Sequence, residues 1–389
     1  MGKQQVVLKS IRNPIGCPPL TEYAKGKKKI LIVTDDNTRL TPLRKILPHV
    51  IDELKGAGVK EGAIKILIAS GTHRPMTESE LKDKFGLAIL SRFKIYNHNW
   101  SDKSVLTKID STIYEKKICV NRLAEESDFI IGIGSIVPHA TTGFSGGGKI
   151  ILPGICGADT TEDMHWKALE FEINDILGVY DNPMRKMVDA VAKKVGLKFI
   201  VNVITDDTNR LVDVVAGDPV KAHRRGVEIS RKVFGIRIPH PADIVVADAR
   251  PMDIDLRQAI KAVCASDLVV KQRGVIILFA RCPEGVSPQF PEFKKYGFKD
   301  PEGLKRKVEE GKVKGKLMAY TLIVIGRIMK YKAKVILVSK GISREIAHKL
   351  GFLWAGSIKE ALKKAEDLTS KKAKVIFLKR ACEALPLIN

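Results

Sequence analysis

The sequence predicts an α/β protein with two domains, each built around a mainly parallel sheet. Short β-branched runs alternate with amphipathic stretches of helical period along the chain. The length of 389 residues suits two domains with cores of their own. Two prolines in IRIPHPA, at 236–242, interrupt the alternation before it restarts. We therefore expect an N-terminal domain at 1–237 and a C-terminal domain at 238–389.

The N-terminal part alternates between predicted strands and helices. Apolar runs at 28–34, 63–70 and 128–137 predict buried strands. Thr41 followed by Pro42 predicts a helix with Thr41 as its N-cap. The segment TESE at 77–80 is a capping box and predicts another helix start. The pattern then continues as a helix, two strands and a helix, at 182–196, 198–205, 210–217 and 218–235.

The C-terminal part follows the same scheme. It is predicted to contain a strand at 243–247, a helix at 255–266 and a strand at 274–280, followed by two or three helices and strands at 334–339 and 374–378. In the N-terminal part, DDNTR, GTHR and PHATTGFSGGGK all follow the carboxyl ends of predicted strands. Such ends line the ligand crevice of an open parallel sheet, so we expect these polar loops to converge on one site.

Composition narrows the class of protein. Hydrophobic residues make up 44% and charged residues 29% of the chain, and no apolar run reaches the length of a membrane span. The N-terminus has no apolar leader, and the six cysteines are scattered without a C-x-x-C pair. These features argue against a zinc ribbon or a disulfide framework. They predict a cytoplasmic protein without membrane partners.

The formal net charge of +23 raises the alternative of a nucleic-acid-binding protein. The lysines, however, are spread along the chain and interleave with glutamates on predicted helix surfaces, as in KVEEGKVKGK. No spacing typical of an RRM, a KH domain or a zinc finger is present. We therefore expect no nucleic acid among the partners, and this alternative ranks last.

A glycine-rich loop ends in lysine at Gly143 to Lys149 and fits the P-loop frame G-x-x-x-x-G-K. The next residue is Ile150, where a nucleotide triphosphatase needs Ser or Thr to bind magnesium. The spacing fits a P-loop, but the hydroxyl that would bind magnesium is missing. We therefore expect a role for Lys149 other than triphosphate binding.

Histidine is the natural proton shuttle near neutral pH and also a good nickel ligand. His73, His139 and His165 lie beside Gly, Thr or Arg at predicted strand or helix ends, which favours a functional role. His98 follows a strand and is a weaker candidate, whereas histidines on predicted helices are expected to be structural. Asp36 and Arg39 in DDNTR form a candidate clamp for an anion or a substrate, with a solvated Asp–Arg turn as the alternative.

Together these motifs resemble the nickel-pincer-dependent lactate racemase family. The resemblance rests on DDNTR, SGTHRPMT, PHATTGFSGGGKIILPGICG and the downstream MHW. The spacing agrees as well, since His139 and Lys149 are ten residues apart and His165 lies sixteen beyond Lys149. The resemblance covers about residues 35–261 and is weaker in the last hundred residues.

The resemblance implies a nickel cofactor, pyridinium-3,5-bisthiocarboxylic acid mononucleotide, bound covalently to Lys149 and installed by cofactor-maturation enzymes. It implies that His165 is the protein's nickel ligand, in a planar site of the kind that suits Ni(II). Asp36, Asn37, Thr38 and Arg39 would line the cofactor and substrate pocket. The resemblance also implies an active site in the cleft between the two predicted α/β domains.

The same resemblance implies racemisation or epimerisation of a 2-hydroxy acid. His73 and His139 would be the two acid–base residues, one for each enantiomer, and hydride would move between C2 and the cofactor. Gln258 and Lys261 would hold the substrate carboxylate, with Arg39 beside them. Arg257 replaces an aromatic residue of the lactate-acting members, and its guanidinium suits a larger or more anionic acid. The alternatives are that Arg257 faces solvent or pairs with an aspartate, and that the chain is a non-catalytic nickel- or nucleotide-binding protein of the same fold.

Overall fold

The computed structural model describes residues 3–110 and 117–388. In chain order the strands are β1 (Ile30–Asp35), β2 (Ile64–Ala69), β3 (Ile95–Asn97), β4 (Leu106–Ile109), β5 (Ile118–Asn121), β6 (Phe129–Ser135), β7 (Pro138–His139), β8 (Gly143–Phe144), β9 (Leu197–Thr205), β10 (Leu211–Gly217), β11 (Gly235–Ile238), β12 (Ala242–Asp248), β13 (Val270–Phe279), β14 (Ala333–Val338), β15 (Leu353–Trp354), β16 (Val375–Leu378) and β17 (Leu385–Ile388).

The helices are α1 (Lys3–Arg12), α2 (Leu20–Tyr23), α3 (Leu43–Gly56), α4 (Glu78–Phe85), α5 (Leu87–Leu90), α6 (Arg122–Glu125), α7 (Ala158–Lys167), α8 (Ile173–Ile176), α9 (Pro183–Val195), α10 (Lys221–Phe234), α11 (Leu256–Ala259), α12 (Lys261–Asp267), α13 (Phe293–Tyr296), α14 (Pro301–Glu309), α15 (Lys316–Tyr331), α16 (Arg344–Leu350) and α17 (Ile358–Leu368). Short 3₁₀ helices lie at Glu61–Ala63, Lys103–Val105, Gly147–Ile150 and Ala168–Glu170. Within the described residues, no helix is both long and apolar enough to cross a membrane.

The chain divides into two compact units whose segments interleave. The first comprises 1–137, 142–164 and 179–233, and the second comprises 138–141, 165–178 and 234–389. His139 and His165 therefore group with the second unit. The simpler division at residue 237 stays a prediction about the folding domains.

The first unit contains a six-stranded sheet in the order β10-β9-β6-β1-β2-β3. All neighbouring strands are parallel except β10, which runs antiparallel to β9. Strand β1 is buried along its whole length, because its Ile, Leu and Val side chains face helices on both sides of a parallel sheet. Its carboxyl end, and those of β2, β6 and β9, consequently lie at one edge of the sheet.

The second unit contains a five-stranded sheet, all parallel, in the order β15-β14-β13-β12-β16. Its core packs the Ile and Val side chains of β12, β13 and β14 against α17. The predicted α/β class with mainly parallel sheets is confirmed. The predicted helices at 182–196 and 218–235 and the capping box of Thr77 and Glu80 are also confirmed.

Two predicted helix details were wrong. Helix α3 begins at Leu43 with Pro42 in the N-cap position, and Thr41 does not cap it. Instead the Thr41 hydroxyl donates to the buried Asp35 carboxylate, a charged acceptor that competes successfully for it. The predicted helix at 255–266 is two short helices, α11 and α12, joined at Ile260.

Candidate active site

The loop after β1 forms a tight turn around the Asp36 carboxylate. Oδ1 of Asp36 accepts hydrogen bonds from the Thr38 backbone N–H at 3.0 Å and the Thr38 hydroxyl at 2.5 Å. Oδ2 lies 2.6 Å from Nδ1 of His73, which belongs to the loop after β2. The Asp36 side chain is only 4% exposed, whereas that of His73 is 24% exposed. The turn therefore presents a buried carboxylate to a partly accessible imidazole.

The electrostatics of this pair favour an ionised Asp36. Burial alone raises the pKa of the Asp36 carboxyl, but the charge and hydrogen bond of His73, with Thr38 and Arg39, outweigh burial and lower it well below its usual range. A carboxylate oxygen only accepts, so Nδ1 of His73 carries the hydrogen in this contact. In the neutral ring Nε2 then holds the lone pair. His73 is thus set up to accept a proton at Nε2.

Lys84 on α4 supports the same loop from the side. Its ammonium group donates to the backbone carbonyls of Asp36 and Arg39, the second at 2.8 Å, and lies 2.9 Å from Oδ1 of Asp35. Its side chain is 7% exposed. No sequence pattern indicates this role for Lys84, because a lysine near the end of an amphipathic helix is ordinarily a solvated residue.

Glu80 links the two polar loops to the start of α4. It accepts from Asn37 at 2.5 Å and from both terminal nitrogens of Arg74 at 2.8 Å, and it closes the capping box with Thr77. The hydrogen bonds from Arg74 lower the pKa of Glu80 to about 2. The capping-box motif identified Glu80 as a helix cap but gave no sign of its bonds to the two loops.

The segment 131–150 is buried except at His139, Ala140 and Lys149. The glycine loop turns into the 3₁₀ helix Gly147–Ile150, and Lys149 is its one half-buried residue. Two loop amides that a P-loop would offer to phosphate are bonded within the protein. The N–H of Gly147 donates to Oδ1 of Asn202 at 2.8 Å, and that of Lys149 donates to the Gly146 carbonyl at 3.2 Å. These bonds argue against a phosphate cradle of the triphosphatase kind.

His139 and His165 lie near Tyr320 of α15, within the second unit. The backbone N–H of Thr141 donates to Nδ1 of His139 at 3.2 Å, so that nitrogen is an acceptor and the neutral ring carries its hydrogen on Nε2. The hydroxyls of Thr141 and Tyr320 are 3.1 Å apart, and the Tyr320 ring meets the His165 ring edge-on at 5.2 Å between centroids. No sequence pattern singles out Tyr320, because it lies within an apolar helix whose side chains are expected to pack in the core.

The predicted carboxylate binders Gln258 and Lys261, and Arg257 beside them, lie on α11 and at the start of α12. Asp255 caps α11 by accepting from the Gln258 N–H at 2.7 Å, and the Lys261 ammonium donates to Oε1 of Gln258. Arg257 is buried, with its guanidinium carbon 4.6 Å from the centroid of the Phe290 ring. Burial lowers the pKa of Arg257 to about 10. The alternative that Arg257 faces solvent is therefore wrong.

His98 is a structural residue. It is 1% exposed, its Nε2 lies 2.9 Å from the Cys156 carbonyl, and its Nδ1 accepts from Asn121 at 3.2 Å. Burial lowers the pKa of His98 to about 4, so the ring is neutral at physiological pH. With both nitrogens engaged in the interior, it has no capacity left for catalysis.

The donor set also bears on the implied nickel cofactor. Across residues 3–110 and 117–388, no group of three or more His, Cys, Asp or Glu side chains is placed to hold a metal ion. A metal that brings most of its ligands with an organic cofactor needs only one imidazole from the protein. In the first unit, a half-buried lysine in a buried loop is chemically suited to attach such a group, and in the second unit His165 offers one imidazole.

Comparison with known proteins decides the family. Models of the lactate racemase N-terminal and C-terminal domains match residues 2–175 and 238–382. The chain belongs to the lactate racemase family. It is 33% identical to the lactate racemase of Thermoanaerobacterium thermosaccharolyticum over 383 residues, which cover 96% of this chain and 88% of the relative. Its identity to the lactate racemase of Lactiplantibacillus plantarum is 30% over 385 residues, covering 97% and 89%.

Solved structures agree with this assignment. The lactate racemase apoprotein of T. thermosaccharolyticum superimposes with a TM-score of 0.90 at 30% identity, covering 100% of this chain and 93% of that one. A structure from Thermotoga maritima, with a TM-score of 0.79 and 22% identity, shares the fold and covers 100% and 98%. The family resemblance predicted from the motifs is confirmed. Membership of the lactate racemase family makes the protein a racemase, and therefore an isomerase.

Proposed function

We propose that the protein is a nickel-pincer-dependent racemase or epimerase of a 2-hydroxy acid. The observation that carries the proposal is the Asp36–His73 pair, in which a buried carboxylate 2.6 Å from Nδ1 leaves the lone pair at Nε2. Removal of hydride from C2 requires that the substrate hydroxyl lose its proton. A base fixed in this tautomer suits that step.

The two histidines take complementary roles in the proposed reaction. His73 accepts the hydroxyl proton of one enantiomer at Nε2, and Asp36 stabilises the imidazolium that forms. His139 offers N–H at Nε2 while Thr141 occupies its Nδ1. To return a proton to the product oxygen His139 would act as an imidazolium, and to accept one at Nε2 from the opposite enantiomer it would be neutral with its hydrogen on Nδ1. Nδ1 carries hydrogen in both states, so the Thr141 amide would release it.

The cofactor residues are assigned by their match to the family's motifs. Lys149 carries the nickel-pincer nucleotide, maturation enzymes install it, and His165 supplies the imidazole ligand to nickel. When bound, this group supplies the centre that accepts and returns hydride. Asp36, Asn37, Thr38 and Arg39 line the pocket, and Lys84 and Glu80 hold their loop in shape.

The substrate carboxylate is assigned to Gln258 and Lys261, with Arg39 and Arg257 adding positive charge. Gln258 and Lys261 already contact each other through the ammonium and the amide oxygen, so a donor pair is assembled before substrate binds. Arg257 lies on the same short helix as Gln258, and its buried guanidinium favours an acid that is larger or more anionic than lactate.

The test is mass spectrometry and nickel analysis of protein co-produced with maturation enzymes. Wild type is expected to carry a covalent adduct on Lys149 and to racemise a C2-deuterated 2-hydroxy acid with retention of deuterium. Lys149→Ala is expected to lose adduct and nickel. Lys371→Ala, a change at an exposed lysine, serves as the control and is expected to keep both.

His165→Ala is expected to lose nickel while keeping the adduct, whereas His73→Ala keeps both and loses racemisation. Rapid loss of deuterium to water would indicate a carbanion route and contradict the proposed hydride transfer. An adduct that survives in Lys149→Ala would remove this lysine from the mechanism.

A further inference from the structure

Three successive carbonyl groups of the glycine loop are held by buried side chains. Nη2 of Arg185 donates to the Phe144 carbonyl, Nε2 of His223 donates to the Ser145 carbonyl at 2.9 Å, and Nη1 of Arg185 lies 3.3 Å from the Gly146 carbonyl. Arg185 lies on α9 and His223 on α10, and both are less than 5% exposed. Arg185 and His223 therefore form a polar support for the loop, supplied by two helices.

The support reaches the lysine itself. The Gly146 carbonyl that accepts from Arg185 also accepts from the backbone N–H of Lys149, so one oxygen atom connects the guanidinium to the lysine. The His223 ring also packs directly against the loop, because a Cβ added at Gly147 would lie 2.8 Å from Cγ of His223. The loop conformation is consequently held by the hydrogen bonds of Arg185 and His223 and by packing of the His223 ring against Gly147.

Burying the polar side chains of Arg185 and His223 costs free energy, which argues against a role in packing alone. Burial lowers the pKa of Arg185, since removing a guanidinium from water is unfavourable. Its nearest carboxylate oxygen, on Asp189, is 3.4 Å away, and its Nε has no hydrogen-bond partner among the described residues. His223 is buried and neutral, because burial and the nearby Arg185 hold its pKa well below the ordinary value. An apolar pair would pack there at lower cost.

We propose that Arg185 and His223 are positioning residues for Lys149. By fixing the carbonyls of residues 144–146, they hold the loop in the one conformation that leaves Lys149 half-buried and its neighbours buried, so that the amine is presented for attachment of the cofactor. The inference rests on the proposed role of Lys149.

The experiment compares two changes of similar volume at one position. His223→Gln keeps an N–H donor for the Ser145 carbonyl, and His223→Leu removes it. In the apoprotein, hydrogen–deuterium exchange of the peptide spanning 143–152 is expected to be about three- to tenfold faster in the leucine variant, the effect of one lost hydrogen bond, and close to wild type in the glutamine variant. The exposed hairpin at 206–210 is the control peptide and should not change.

The fraction of Lys149 that carries an adduct, measured after co-production with maturation enzymes, is expected to fall in His223→Leu and to recover in His223→Gln. Melting temperatures of the two variants separate positioning from general stability. The proposal is overturned if both variants exchange and load alike, or if loading follows melting temperature alone. If wild type itself acquires no adduct, the proposed function fails, and the exchange data still decide whether the support fixes the loop.

Discussion

Two loops of the first unit contain turns of the same geometry but differ in the partner that their aspartate contacts. Asp36-Asn37-Thr38 follows β1, and Asp206-Asp207-Thr208 follows β9. In each, Oδ1 of the aspartate accepts from the backbone N–H and the hydroxyl of the threonine two residues later. Both loops stand at the carboxyl edge of the same sheet. Sequence and local geometry alone do not separate them.

The two loops differ in the partner of the second carboxylate oxygen, Oδ2, of the aspartate. Oδ2 of Asp206 pairs at 3.0 Å with Arg210 of its own loop, whose side chain is 69% exposed. Oδ2 of Asp36 instead pairs with His73 from a neighbouring loop, and it is buried. The first arrangement closes a hairpin within itself. The second places a buried carboxylate against an imidazole from a neighbouring loop, and this is the contact on which the proposed function depends.

The largest expected effect comes from breaking the Asp36 contact with His73. In Asp36→Asn the amide N–H faces Nδ1 of His73 and forces the other tautomer, which places hydrogen on Nε2 and removes the base. By analogy with the same change in a serine-protease triad, kcat/KM should fall about 10³- to 10⁴-fold. The matched change Asp206→Asn should alter it less than about twofold. Chiral assay of the loaded variants is the measurement, and equal losses would erase the distinction between the loops.

A smaller effect concerns acid stability. The folded-state pKa of Asp36 is depressed, so its contribution is fully present above the unfolded pKa of about 3.9 and is lost as pH falls toward the folded value. Wild type should therefore exceed Asp36→Asn in unfolding free energy by about 1–3 kcal/mol at pH 6, with the gap closing below about pH 4. Urea unfolding from pH 3 to 7 measures this, and a gap that does not depend on pH would contradict the assignment.

The smallest effect is expected from Arg210→Ala. The ion pair that it removes is solvated, and such pairs contribute little. The melting temperature should change by less than about 2 °C, and racemisation should be unchanged. Slower racemisation in this variant would show that the 206–210 hairpin also takes part in function.

The sequence was sufficient for whatever depends on local pattern. Apolar runs located β1, β2 and β6, and the capping box located the start of α4. The motif residues Asp36 and His73, 37 positions apart, do meet in space. The prediction of Thr41 as an N-cap was wrong because its hydroxyl donates to Asp35, a tertiary partner that helix-capping preferences do not take into account.

The residues that the sequence did not reveal act through tertiary contacts. Lys84, Arg185 and Tyr320 each lie on a helix where their residue type has an ordinary explanation. Only the fold brings Lys84 to the carbonyls of the 35–39 loop and Arg185 to those of the glycine loop. Burial of a cation against backbone oxygens has no signature in a single sequence, because the acceptors carry no side-chain information.

The close packing around the glycine loop also limits how the family can diversify. A Cβ at Gly146 would lie 2.8 Å from Oδ1 of Asn202, and one at Gly148 would lie 2.9 Å from the Ala192 Cβ. At Gly146, Gly147 and Gly148, a larger residue would therefore displace Asn202, His223 or Ala192. In a saturation library scored for folding alone, Gly146, Gly147 and Gly148 should accept no substitution, whereas the half-buried Lys149 should accept other side chains. Selection for new substrates must therefore act on residues outside these glycines, and the proposed attachment point at Lys149 keeps a fixed backbone.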